Sequence, residues 1–229
     1  MDISYTALKN FLDCPQRYAL RYQFRIPDGQ SDWIILGKML HSVIEAYKDL
    51  GSVAFKVYKD DLMEWRNQVS VKKLTDEQFL EQANRSLDTL QKVLQEFDLN
   101  GVNLEQEFVM QYKEGYNLVG RVDYLSPNLL MDWKFKKDFR FLDALQLSMY
   151  KKIANYKGEA GFFVVTWSGD SKLIKVNTSK TDKLLDEVID KLISAIENND
   201  FPANTKACAL CPYRDVCKAN EVDYDFYIE

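Results

Sequence analysis

At 229 residues the chain can enclose one well-buried core and little more, since domains run to ~100–200 residues. Its 46% hydrophobic, 13% aromatic and 28% charged residues exclude a disordered or low-complexity chain, and no run approaches the ~18 apolar residues of a membrane span. A net charge of -5 excludes a surface coated in positive charge, although not a local basic groove.

In chain order, Ser4 offers a hydroxyl cap to apolar residues at helical spacing, which predicts a short helix running toward Cys14-Pro15. After the turn residues Pro27-Asp28-Gly29, Leu36, Met39, Leu40, Val43, Ile44 and Tyr47 form an amphipathic stripe over 33–50, with His41 inside it. Residues 55–97 read as mostly helical, with a capping box at Thr75-Asp76-Glu77-Gln78, and 51–100 is expected to be a helical insertion or lid. From Leu104 the period changes to two. Glu105, Glu107 and Val109 alternate with their neighbours, Glu114-Gly115 turns the chain into a strand over 116–125, and Ser126-Pro127-Asn128 turns it again into a strand over 129–135. A helix over 142–153, strands over 160–167 and 172–176, and a long helix over 181–198 follow, then a loop-rich knuckle over 201–220. This order predicts an α/β fold, a mixed central sheet flanked by helices, in one domain spanning 1–229.

Alternate residues of a strand share a face, so Asp132 and Lys134 are neighbours, and the turn at 126–128 sets Asp123 opposite Asp132. Two converging carboxylates repel unless a cation joins them, and oxygen ligands with open water positions suit Mg²⁺ or Mn²⁺. Such an ion acidifies water and stabilises charge on a phosphodiester, with Lys134 orienting that water. Asp-x-Lys is also what an exposed strand end with a surface ion pair looks like, so the motif alone decides nothing. The basic residues Lys134, Lys136, Lys137, Arg140, Lys151 and Lys152 fit a nucleic-acid track or a solvated face equally well.

The four cysteines are Cys14 and a late C-x2-C-x5-C set, Cys208, Cys211 and Cys217. The opening Met1-Asp2-Ile3-Ser4 lacks the basic-then-apolar layout of a signal peptide, so the expected compartment is the cytoplasm, where thiols serve metals more often than disulfides. Spacing alone leaves zinc and a [4Fe-4S] cluster as alternatives.

Gly120-Arg121-Val122-Asp123 followed by Asp132-Trp133-Lys134 resembles the central motifs of the PD-(D/E)XK nuclease superfamily. Gly37 and His41 resemble the Gly-x-x-x-His helix of its RecB-like branch, and Gln146 and Tyr150 resemble that branch's Gln-x-x-x-Tyr helix. The resemblance implies a restriction-endonuclease-like core and a metal held by His41, Asp123, Asp132 and the Trp133 carbonyl, with Lys134, Gln146 and Tyr150 serving catalysis. Glu107 resembles an acidic residue on the first strand of some members, with Glu105 competing for that place. The cysteine layout resembles the iron-sulfur modules of Cas-four-type exonucleases and AddB-type helicase-nucleases, which implies a [4Fe-4S] cluster on Cys14, Cys208, Cys211 and Cys217. The implied activity is a DNA exonuclease working on single strands or ends, in repair, recombination or CRISPR-type processing. The competing expectation is a non-catalytic iron-sulfur module for DNA binding or complex assembly. No helicase P-loop occurs in the sequence, so unwinding would come from a partner such as a helicase, and an integrase is a second candidate partner.

Overall fold

The computed structural model describes residues 1–97 and 102–217. They form two compact units. The larger comprises Gln30–Met110 and Gly120–Asp182. After α1 (Tyr5–Asp13) and α2 (Pro15–Tyr18) of the other unit, its helices are α3 (Asp32–Leu50), α4 (Val53–Asp60), α5 (Leu62–Asn67), α6 (Asp76–Glu96) and α7 (Ala144–Ile153). Its strands are most of β2 (Asn103–Lys113) and β3 (Tyr116–Leu125), with β4 (Leu129–Lys136), β5 (Glu159–Thr166) and β6 (Ser171–Lys175).

Strand β4 is the hinge of this architecture. It pairs antiparallel with β3 at Tyr124↔Met131 and Leu125↔Leu130, and parallel with β5 from Leu129↔Glu159 to Lys136↔Thr166. Helix α7 supplies the crossover that a parallel pair requires. Beyond Glu159 every residue of β5 is buried, as expected of a strand covered on both faces. On one face, α3 packs on β4 and α6 on β5, and Trp133, Phe163 and Val165 join Met39, Val43, Phe79, Leu87 and Leu90 in one apolar cluster. On the other face lies α7, against β4 and β5. The mixed sheet flanked by helices is therefore observed.

Of residues 51–100, expected from the sequence to be an insertion or lid, 98–100 lie outside the described residues, and 51–97 contribute Phe55, Leu62, Phe79, Ala83, Leu87, Leu90 and Leu94 to the same cluster that covers Trp133. They are a structural layer of this unit. The reason is the stripe on α6, whose Phe79, Ala83, Leu87, Leu90 and Leu94 are buried in that cluster. Its capping box is present, with Thr75 accepting from the Gln78 N–H and Gln78 answering the Thr75 N–H. A buried guanidinium, Arg66, ties this layer together: it bonds Asp32, Asp76 and the Leu74 carbonyl, while Asp32 also accepts from the Lys73 and Leu74 amides.

The smaller unit comprises Met1–Gly29, Gln111–Val119 and the described part of Lys183–Glu229. It opens with β1 (Asp2–Ser4), which pairs parallel with Asn117–Val119 of β3, and α1 (Tyr5–Asp13), where Ser4 caps the Ala7 amide as expected. Cys14 ends α1 and precedes α2 (Pro15–Tyr18), and a π-helical turn follows at Ala19–Gln23. Most of α8 (Ser179–Asn198) and a 3-10 turn at Thr205–Leu210 complete it. Of the expected knuckle over 201–220, residues 218–220 lie outside the described residues. Among the described residues no helix is long and apolar enough to cross a membrane.

Candidate active site

The ladder between β3 and β4 ends at Tyr124↔Met131. One step further, the Trp133 amide donates to Asp123 Oδ2 at 2.8 Å, so a side-chain carboxylate stands where a strand carbonyl would otherwise accept. The N–H and C=O of an extended residue point the same way, which puts the Trp133 carbonyl on this open side too. Asp132 follows on β4 with its carboxylate on the α7 face, where Gln146 Nε2 donates to Oδ1 at 2.5 Å and the Lys134 ammonium lies 2.6 Å from Oδ2. Gln146 and Tyr150 share one face of α7, and their Nε2 and Oη atoms are 3.0 Å apart. Gly120 makes this docking possible: a Cβ there would fall 2.5 Å from Ile153 Cδ1 and 3.2 Å from the Tyr150 ring.

From α3, His41 Nδ1 reaches Glu105 Oε1 at 3.1 Å and Asp123 Oδ2 at 3.6 Å. Ligand atoms of His41, Glu105 and Asp123 all lie within 4.8 Å of one another. The structure thus gathers His41, Asp123, Trp133, Asp132, Lys134, Gln146 and Tyr150 in one contiguous network, with Glu105 added. Glu105 is the acid that competed with Glu107 for the place the resemblance implied on the first strand. It is 8% exposed, whereas Glu107 faces solvent, because Glu105 adopts a left-handed φ of +49° that breaks the regular strand. Arg121 holds it there, donating from Nε to the Glu105 carbonyl at 3.1 Å and lying 3.2 Å from its carboxylate, with Nη2 on Glu45 at 2.7 Å.

The carboxylates of Glu105, Asp123 and Asp132 are buried, at 8%, 5% and 2% exposure; those of Glu105 and Asp123 meet His41 within 4.8 Å, and Asp132 stands outside that group, on Gln146 and Lys134. Burial, and then Asp132, push the Asp123 carboxyl well above its ordinary range. Burial lowers the His41 pKa, but Asp123, Glu105 and Asp132 outweigh it and hold the ring at about 9. Tyr150 is pushed up by burial and by Asp132, so its phenol stays protonated. Within this network Asp132 Oδ2 is buried and makes no hydrogen bond of regular geometry. Hard oxygen donors with one imidazole form a set that fits a divalent Mg²⁺ or Mn²⁺, which would compete with the His41 proton.

The family model of the PD-(D/E)XK nuclease superfamily matches residues 2–218, nearly the whole chain. This chain belongs to the PD-(D/E)XK nuclease superfamily. Among solved structures, a "Putative exonuclease" from Eubacterium rectale resembles it with a TM-score of 0.65 at 14% identity, over 96% of this chain and 87% of that one. At that identity the likeness is one of fold. No curated protein matches the sequence. Membership of this nuclease superfamily brings a dependence on divalent metal as a general property, and the His41, Glu105 and Asp123 group is an acidic site that could meet it.

The nuclease carries a second constellation, in its smaller unit. Cys14, Cys208, Cys211 and Cys217 line one cavity together with Arg17, Leu20, Ala203, Asn204, Ala207 and Arg214, and none of the four forms a disulfide. The Asn204 amide donates to Cys14 Sγ at 3.2 Å, and its side chain donates to the Asp13 carbonyl at 2.9 Å. Among the described residues no three of these sulfurs crowd within 4.8 Å of one another. Tetrahedral zinc, with Zn–S near ~2.3 Å, would draw them to roughly 3.8 Å.

Proposed function

We propose that this nuclease hydrolyses DNA phosphodiesters as an exonuclease, on single strands or at ends, at the site between β3, β4, α3 and α7. The observation that carries the reading is the meeting of two buried carboxylates and an imidazole, those of Glu105, Asp123 and His41, beside the buried Asp132 with its Lys134 ammonium on the next strand. His41, Glu105, Asp123, Asp132 and the Trp133 carbonyl would hold Mg²⁺ or Mn²⁺. Such an ion, when bound, neutralises charge on the scissile phosphate and makes a water more acidic. Lys134 orients that water or takes part in its deprotonation, anchored by Asp132 at 2.6 Å. Gln146 fixes the Asp132 carboxylate, and its contact with the Tyr150 hydroxyl fixes the amide in turn.

The four-cysteine cavity supports the finer reading, a RecB-like, Cas-four-type enzyme with a [4Fe-4S] cluster on Cys14, Cys208, Cys211 and Cys217. The four cysteines line one cavity without a disulfide, and thiolates suit iron-sulfur clusters. The cluster would serve structure, clasping segments far apart in the chain. The same reading takes 1–229 as one RecB-like domain, places the enzyme in the cytoplasm and gives it a helicase or integrase as partner, in repair, recombination or CRISPR-type processing.

The deciding assay follows cleavage of 5′- and 3′-labelled single strands in Mg²⁺ and Mn²⁺. The native protein is expected to shorten them, with Asp132→Ala and Lys134→Ala each reducing the rate by about a hundredfold or more, as loss of a group acting in the transition state does. Equal rates in the variants would remove the assigned site. Binding without cleavage in either metal would favour the assembly-module reading instead.

A further inference from the structure

Between β4 and α7 the chain makes a seven-residue loop, 137–143. At its tip Phe141 is 89% exposed and adopts a left-handed φ of +57°. A β-carbon with a bulky ring disfavours that conformation, and exposing the ring forgoes its burial. The surroundings hold it there nonetheless. Lys136 donates from Nζ to the carbonyls of Arg140 and Phe141 at 2.5 and 2.9 Å. Asp138 accepts from the Arg140 amide at 2.9 Å and from its guanidinium at 2.6 and 3.1 Å, and that guanidinium stands 5.6 Å from the Phe141 ring centroid. The ring is braced outward.

Its position relative to the site is fixed by the strand. Asp132, Lys134 and Lys136 alternate along β4 and share a face. The ammonium that grips the Phe141 carbonyl therefore lies one alternate position beyond Lys134, on the face where Asp132 meets Gln146. At its other end the loop runs into α7, whose third residue is Gln146. The loop's charges balance, Lys137 and Arg140 against Asp138 and Asp143, with Arg140 paired to Asp138 and Lys136 holding the loop carbonyls; Lys137 is exposed and suits a phosphate backbone. An exposed aromatic among cations is how sequence-tolerant binding of unpaired nucleotides is built, because every base offers a π-face.

We propose that Phe141 is a base-stacking platform for an unpaired nucleotide of the strand whose phosphate enters the metal site. Base and backbone are read by different groups, the Phe141 ring and the exposed Lys137. The assignment rests on the nuclease reading above and names what that site holds beside the scissile phosphate.

The test compares Phe141→Ala and Phe141→Trp in the Asp132→Ala background, by fluorescence anisotropy with an end-labelled single-stranded oligonucleotide and with an abasic oligonucleotide of equal length. Phe141→Ala is expected to weaken binding of the base-bearing strand by roughly tenfold, within the range for one stacked base, and to leave the abasic strand unchanged. Phe141→Trp should retain both affinities. Equal loss on the two strands, no loss on either, or absence of single-strand binding by the parent would overturn the platform. Cleavage by proteins carrying native Asp132 is measured in parallel. Absent cleavage with intact base discrimination would overturn the nuclease reading and leave the platform standing.

Discussion

At the scale of single residues, Glu105 and Glu107 separate two ways of building the site. Both lie on β2 two positions apart, where a regular strand would point them alike. The left-handed turn at Glu105 uncouples them, burying one beside His41 and leaving the other in solvent. Glu105→Gln is expected to weaken Mn²⁺ binding by at least about tenfold in titration calorimetry, since a charged ligand becomes a neutral one, whereas Glu107→Gln should match the native protein. Equal behaviour of the two would remove Glu105 from the ligand set. Arg121 should act through Glu105: Arg121→Ala is expected to cost about 10- to 100-fold in Mn²⁺ affinity, as removal of an outer partner does. The shared face of Asp132 and Lys134 was legible in the sequence because strand alternation fixes it locally; the turn at 126–128 set the register up to Tyr124↔Met131, beyond which Asp123 bonds the Trp133 amide. Glu105 was not legible, because nothing local announces a left-handed glutamate; the backbone strain is held in place by Arg121, sixteen residues away.

At the scale of elements, the site depends on how closely α7 approaches β3. Gly120 is the point of contact, and Gly120→Ala would force a methyl to within 2.5 Å of Ile153 and 3.2 Å of Tyr150. Ile153 Cδ1 is the end of a side chain, so the clash is relieved either by turning Ile153 or by lifting the helix, and lifting it draws Gln146 off Asp132. The expected result is a lower melting temperature, from about 1–3 kcal/mol of overpacking, together with a lower kcat. A fall in stability with kcat unchanged would mean that α7 yields without moving Gln146. Helix α6 offers the contrast: Thr75→Ala removes the capping box at a cost of about 1 kcal/mol, and cleavage at a temperature well below unfolding should be unaltered. The helices were readable from their 3.6-residue stripes and Thr75 from its spacing to Gln78. The parallel pairing of β4 with β5 was not, since register between strands separated by a crossover helix is set by packing on both faces and leaves no local mark. The same holds for the role of 51–100, whose stripes announce helices without saying which surface they cover.

At the scale of the whole molecule, the proposed sites differ in how they hold their ions, and this difference is measurable. The carboxylate and imidazole site would take a hard cation through exchangeable oxygen and nitrogen contacts, whereas four thiolates would hold a cluster that does not exchange on dilution. Cys14 and Cys208 are almost a chain length apart, and a bridge between them would restrict the unfolded ensemble by on the order of 5 kcal/mol in chain entropy. EDTA followed by Mg²⁺ is therefore expected to abolish and then restore cleavage while the visible absorbance of anaerobically purified protein stays constant. Cys14→Ala should lose the iron, expose Met1–Gly29 and the segment after Lys183 to proteolysis, and weaken DNA binding. The apolar cluster around Trp133 lies wholly within the larger unit, so its near-ultraviolet circular dichroism should persist in that variant. An iron-free native protein, or a Cys14→Ala protein as resistant and as active as the native one, would refute the clasp. Either result would leave the acidic site intact, because no residue of its network comes from the smaller unit.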